Sequence, residues 1–357
     1  MILPEHGLDG PLLDAFAEYE LRNLQFGADW LANLASHALE KYEKAVVFVA
    51  RLSPDNFVAC PLKLNSHNGH ARSLGNFYTS AYSPVVSSDT PESLFLALFR
   101  HLARNQKIAT LTLSPMELDS PWFSQIQQAL DQAGWKGTHR FFCFGNWIHE
   151  IEGATYQSYL AARPSRLRNT ITRRTRQFLE ANRGQLKLVQ GGKLLEESIE
   201  QFVAVYNKSW KQEEPYLDFI PNLLQLSARR GWLRLGIASY DNVPVASQIW
   251  LVWGNTAYIF KLAYHEEFKQ LSPGTILTAY MMEHVIDKDA VSRIDFLSGD
   301  DDYKEDWMST RRERFGIAAY NPLSLRGTVL LIGHILKSLV KKIRSGTSTS
   351  AHPSDNN

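Results

Sequence analysis

Between residues 158 and 206 apolar side chains recur at helical spacing. Leu160, Leu167, Ile171 and Phe178 form one stripe, and Leu195, Ile199, Phe202, Val203 and Tyr206 form a second. The period then changes. Segments 232–240, 245–252 and 257–264 are rich in apolar, aromatic and β-branched residues, with Asp241-Asn242 and Gly254-Asn255 as turn signals, which predicts an antiparallel meander. A helix over 276–286, a strand over 293–297, a helix over 303–309 and a strand over 315–320 follow. A strand–helix–strand crossover sets 293–297 parallel to 257–264, so the start of the helix and the acidic loop 298–304 should meet at one sheet edge. The first half repeats this order more weakly: strand 76–86, helix 91–103, strand 108–113, helix 122–132 and strand 140–147, an internal repeat of one supersecondary unit.

A final helical pattern covers 328–343, where Leu325, Val329, Ile332, Leu336, Leu339, Val340 and Ile343 are interleaved with Lys337, Lys341, Lys342 and Arg344. A basic amphipathic helix of this kind either docks by its apolar stripe on its own domain, the expectation adopted, or makes peripheral membrane contact through 328–344. The polar, small residues of 345–357 predict disorder. The expected organisation is therefore a first unit at 1–152, a second at 153–323, the basic helix at 324–344 and the tail at 345–357.

The 357 residues are 44% hydrophobic and 21% charged, enough for two domains, and 38 Lys+Arg against 37 Asp+Glu leave no bulk field to hold nucleic acid. Two cysteines, Cys60 and Cys143, exclude a disulfide framework and a cysteine zinc cluster and suit a reducing, cytoplasmic setting. The start MILPEHGLDG has no export-signal pattern, and no apolar run reaches the roughly 20 residues needed to span a bilayer. His67 and His70 are only a faint metal pair, and no metal is expected.

Candidate chemistry gathers where the last meander strand meets its helix. In Ser272-Pro273-Gly274-Thr275, Pro at the first helical position makes Ser272 the N-cap candidate. Gly274 costs roughly 0.8–1 kcal/mol of helix stability against Ala, but it bares amides at the positive end of the helix dipole, where a phosphate binds. The matching position in the first half is Asp89-Thr90-Pro91-Glu92, whose carboxylates would repel a phosphate, so an anionic ligand belongs to the second half. Segment 163–183 carries seven arginines, and Arg166 and Arg173 share a helix face. With Arg174 they are candidates for a phosphate on an acceptor or cofactor, and in second place for tRNA.

The sequence around Leu262-Ala263-Tyr264, Ser272-Pro273-Gly274, Ile294-Asp295-Phe296, Gly299-Asp300 and Tyr303-Lys304 resembles the GNAT acyltransferase superfamily, in its CelD-like or FemAB-like branch. The resemblance is strongest over 158–321 and fades through the first half. It implies an α+β fold of tandem GNAT-like domains, each a mixed, mostly antiparallel twisted sheet flanked by helices, with the first domain degenerate. It further implies an N-acyltransferase that moves an acyl group from acetyl-CoA or another acyl-CoA to a small-molecule or lipid-linked amine. That amine would belong to a sugar, a sugar-lipid precursor or an amino acid. Fem-type relatives take the acyl group from aminoacyl-tRNA instead, and a non-catalytic binding protein is the third possibility.

The same resemblance assigns roles. Gln270, Ser272, Gly274, Thr275 and Ile276 fall at the cofactor pyrophosphate turn, a form with one glycine in which Pro273 supplies no amide. Amides of 259–264, with Leu262, Ala263 and Tyr264, would meet the pantetheine arm. Tyr303 is placed as the acid for the leaving thiolate, Asp300 and then Asp295 as the proton acceptor, and Lys304 as a charge that lowers the Tyr303 pKa or pairs with phosphate. His265 and Glu266 are further base candidates, with a surface turn as their plainer role. Asp300-Asp301-Asp302 also reads as a solvated or magnesium-binding loop. Neither a Gly-x-x-x-x-Gly-Lys loop nor a Gly-x-Ser-x-Gly turn occurs, which weakens kinase and serine-hydrolase readings.

Overall fold

The computed structural model describes residues 9–347. The first half contains α1 (Gly10–Arg22), α2 (Ala28–His37), β1 (Glu43–Ser53), β2 (Asn56–Asn65), β3 (His70–Ser73), β4 (Val85–Ser87), α3 (Pro91–Arg104), β5 (Thr110–Glu117), α4 (Pro121–Gln132) and β6 (Lys136–Glu150). The second contains α5 (Tyr156–Ala161), α6 (Ser165–Leu179), β7 (Gly184–Val189), α7 (Leu195–Asn207), α8 (Phe219–Arg229), β8 (Leu233–Tyr240), β9 (Val243–Trp253) and β10 (Thr256–Tyr264). It continues through α9 (Pro273–Asp287), β11 (Arg293–Asp295), α10 (Tyr303–Trp307), β12 (Thr310–Tyr320) and α11 (Leu325–Thr347).

All strands join one mixed, mostly antiparallel sheet in the order β1-β2-β3-β5-β12-β6-β11-β10-β9-β8-β7, with β4 beside β2. The expected repeat is present in the register. An antiparallel run ends in a parallel pair in each half, β3 with β5 and β10 with β11, and a helix beginning with proline, α3 or α9, lies between the two paired strands in sequence. The halves also trade strands: β12 pairs with β5, and β6 pairs with β11, so the last strand of each half completes the sheet of the other. Sequence order alone gives no sign of this, because the exchanged strands have the same alternating pattern as any other.

Strand alternation divides the core. In β9, Ile249 and Leu251 face a layer formed by α1, α2, α7 and α8, while Trp250 faces α6 and α9. The stripe Leu167, Ile171 and Phe178 seals α6 against α9, and Pro164 sets α6 off from α5 so that the predicted single stripe is carried by two helices. Val203, placed in the α7 stripe, is 39% exposed and faces outward. The predicted strand 76–86 is a run of turns ending in the three residues of β4, and its polar atoms are met by Gln25, whose side chain binds Tyr78 O, Ser80 N and Ala81 N at 2.9, 2.7 and 3.1 Å. Buried Gln25 thus supplies the partners that a neighbouring strand would have given. The tail reading is corrected for Ser345–Thr347, which continue α11; the remainder of 345–357 lies outside the described residues.

Candidate active site

The parallel pairing of β10 with β11 lasts only three residues, Thr256 to Tyr258 against Arg293 to Asp295. Past that point Phe296 keeps to β6, donating its N–H to Trp147 O at 2.9 Å, and Leu297 turns at φ 55°, while β10 runs on to Tyr264. An irregularity in the β10–β9 register between Ile259 and Lys261 adds one residue and bends the strand. The two strands therefore splay, and the edge of β10 from Ile259 onward is left without a strand partner. Two adjoining cavities open along it, of about 770 and about 210 Å³.

The larger cavity reaches from α6 to the start of α9. Gln248, 1% exposed, fixes that start by donating to Gly274 O at 3.0 Å and Thr278 Oγ1 at 2.8 Å, and its own oxygen accepts from Trp250 Nε1 at 2.9 Å. Ser272 occupies the N-cap position in the left-handed region, φ 56°, and its hydroxyl makes no capping bond, which corrects the expected Ser272 cap. Pro273 has no N–H and Ile276 N already donates to Ser272 O at 3.1 Å, so Gly274 and Thr275 carry the two open amides. A Cβ on Gly274 would lie 3.2 Å from Tyr264 Cδ1, a tight contact, and Tyr264 packs on Trp210 with ring centroids 4.5 Å apart.

Around this cavity the structure gathers Leu262, Ala263, Tyr264, Gly274, Thr275, Arg166 and Tyr303, all singled out in sequence. Others fall elsewhere. Ile276 is 1% exposed and packs in the core, and Gln270 is exposed in the short turn before α9 and does not line the cavity. Arg166 pairs with Asp306 at 2.6 Å; Arg173 lines a separate shallow depression with Arg176, and Arg174 donates to Gln177 at 2.9 Å. His265 Nδ1 accepts from Glu267 N at 3.3 Å, a capping role. Among the described residues no cluster of three or more His, Cys, Asp or Glu is arranged to hold a metal.

The proton-acceptor assignments also change. Asp300 lies outside both cavities, held by Arg311 at 2.6 Å and Trp147 Nε1 at 2.9 Å, and the Arg311 bonds keep its carboxyl below the ordinary range. Asp295 is 4% exposed and bound to Asn146 at 2.7 Å and Arg312 at 3.2 Å, in a separate cavity. Lys304 does not lower the Tyr303 pKa. Its Nζ is buried and donates to Ser298 O at 2.7 Å and Gly299 O at 3.1 Å, clamping the loop, while burial and Asp301 push the Tyr303 hydroxyl up. Tyr303 thus stays protonated and able to donate.

The two cavities meet at Lys211, Leu262, Asp301 and Tyr303. Lys211 lies in the loop after α7, half-buried, its Nζ 5.7 Å from the Trp210 ring centroid. Burial and the nearby Lys261 ammonium lower its pKa to about 8, against an opposing pull from Glu214. Lys261 itself is bound to Glu214, which also accepts from the Tyr78 hydroxyl. Lys211, Trp210, Glu214, Lys261 and Tyr78 were not legible as site residues. Tyr78 stood in a presumed strand, and the others lie in a loop or on a strand with no motif, more than a hundred residues from Tyr78 in sequence.

Beside this open helix start, bulged splayed strand and linking cavity, residues 165–305 match the family model of the acetyltransferase (GNAT) domain. No curated protein matches the sequence. Solved structures that share the fold include three proteins. The C-terminal domain of a putative lysylphosphatidylglycerol synthetase from Agrobacterium fabrum aligns with 91% of this chain and 96% of that one, at 12% identity and TM-score 0.56. FemX aligns over 82% and 95%, at 11% identity and TM-score 0.54. A tandem GNAT protein from the clavulanic acid biosynthesis pathway aligns over 87% and 94%, at 14% identity and TM-score 0.51. Residues 165–305 are thus similar to a GNAT-type acetyltransferase domain, and the chain as a whole shares its fold with these three proteins.

Proposed function

We propose that the protein is an N-acyltransferase that moves an acyl group from acyl-coenzyme A to an amine of a sugar, sugar-lipid precursor or amino acid. The observation carrying this is the continuity of the larger cavity from the open Gly274 and Thr275 amides, along the free edge of β10, to Tyr303 and Lys211. The residues fit the donor substrate: the α9 amides and dipole suit a pyrophosphate, and Trp210 with Tyr264 offers aromatic surface. Free amides on the β10 edge suit a thioester carbonyl as its oxygen gains charge.

The acceptor amine approaches through the smaller cavity. Lys211, as a neutral amine, takes a proton from the acceptor ammonium, whose nitrogen then bonds to the acyl carbon. The carbon–sulfur bond breaks, the sulfur takes a proton from the Tyr303 hydroxyl, and the proton remaining on the new amide nitrogen returns to Tyr303. For Tyr303→Phe, kcat should fall about 100-fold with coenzyme A affinity retained; an unchanged kcat would remove the acid role.

Calorimetry with coenzyme A tests the donor. Binding by wild type is expected, weakened at least about 100-fold in a folded Gly274→Glu variant, because that carboxylate fills the anion site and opposes the helix dipole. Equal binding by both proteins defeats the reading. A Fem-type aminoacyl-tRNA donor is the second reading, favoured by Arg168, Arg173 and Arg176, which are exposed on α6 and form no ion pair among the described residues. Retention of charged tRNA at low salt, with no coenzyme A binding, selects it.

A further inference from the structure

The apolar stripe of α11, expected to dock on the protein's own domain, points the other way. Gly327, Leu331 and His334 make the contact with the body. Gly327 sits so close to the backbone carbonyls of Asn321 and Ala109 that a Cβ would clash at 2.2 and 2.7 Å. Leu331 packs over Gly137, and His334 stacks on His139 with ring centroids 4.4 Å apart. At 3.6 residues per turn these positions share one face. Leu325, Val329, Ile332, Leu336, Leu339 and Val340 occupy the opposite face, each between 48% and 84% exposed. A helix that packs a narrow face of one glycine, one leucine and one histidine on the body and shows its broad apolar stripe to solvent is inverted for a globular domain.

Charge narrows what covers it. Residues 325–347 contain Arg326, Lys337, Lys341, Lys342 and Arg344 and no Asp or Glu, in a chain whose formal net charge is only +1. A second copy pairing stripe to stripe would bring two such cationic helices together with no acid on either to offset them. Among the described residues no helix is long and apolar enough to cross a membrane. We infer that α11 lies in the plane of an anionic lipid surface, its outward stripe entering the headgroup boundary and Lys337 and the basic residues that follow it in sequence meeting lipid phosphates, while Arg326 is held by His67 O at 2.6 Å. This stands on the exposed face and charge of α11 and is independent of the donor and the acceptor.

Flotation of the full chain with vesicles tests it. Wild type should float with phosphatidylcholine vesicles containing phosphatidylglycerol and not with phosphatidylcholine alone, and binding should fall steeply between about 0.1 and 1 M salt. An Ile332→Glu/Leu336→Glu variant should lose at least about tenfold in vesicle affinity while its unfolding temperature stays put, because neither side chain is packed. Failure of wild type to float, equal floating by the variant, or equal floating on neutral vesicles overturns the inference. So does a wild-type dimer by light scattering that the variant converts to monomer without any vesicle binding.

Discussion

Replacing Lys211 by Met is expected to cut kcat/KM for acyl transfer by about 100- to 1000-fold while leaving coenzyme A binding within a few fold of wild type. The reason is positional. Lys211 stands with Tyr303 where the two cavities join; Glu214 is bound to Lys261, Asp306 to Arg166 and Asp301 to Lys304 at 3.3 Å, and Asp302 lines the larger cavity but not the smaller one through which the amine enters. The base must be neutral to act, and burial together with Lys261 brings its pKa to about 8. Wild-type kcat/KM should therefore rise with pH and level off above about 8, and this limb should vanish in Lys211→Met. Lys211→Arg separates proton transfer from charge, since an arginine keeps the positive charge and does not deprotonate. Recovery of activity in the Arg variant would make Lys211 an anion-binding residue and end the base assignment; unchanged activity in both variants would remove it from the reaction.

Glu214→Gln should destabilise the fold by about 3 kcal/mol in urea or thermal unfolding. The Lys261–Glu214 pair is only 10% and 12% exposed, and Gln keeps an acceptor for Tyr78 but leaves the Lys261 ammonium without its counter-charge. Burial alone would raise the Glu214 carboxyl; its bonds to Lys261, Tyr206 and Tyr78 outweigh this and hold it below the ordinary value. A depressed carboxylate contributes stability that is complete above its unfolded pKa and disappears as pH falls through the folded one, so variant and wild type should converge in acid. The substitution also removes the charge that pulls the Lys211 pKa upward, so the rising limb of the rate profile should move below 8. A stable variant with an unmoved limb would separate the buried pair from the site.

Much of the second half follows from local pattern. The meander, the crossover to β11 and the convergence of Gly274 with the acidic loop are read from alternation, turn residues and the proline-glycine helix start, because each is fixed by residues adjacent in sequence. The loop itself divides against expectation. Tyr303 faces the cavity, while Asp300, three residues earlier, turns to Arg311 and Trp147, a direction decided by strand β12 and by the exchanged strand β6.

The sequence by itself determined the order of elements in the second half, the anion-ready start of α9 and the amphipathic character of α11. Each depends on spacing of 2 or 3.6 residues or on the chemistry of a single turn. Only the tertiary structure decided that β6 and β12 change places, that Lys211 rather than Asp300 shares the cavities with Tyr303, and that α11 shows its apolar side outward. Those outcomes depend on which surfaces meet across long stretches of chain, and a stripe of leucines has the same spacing whichever way it faces.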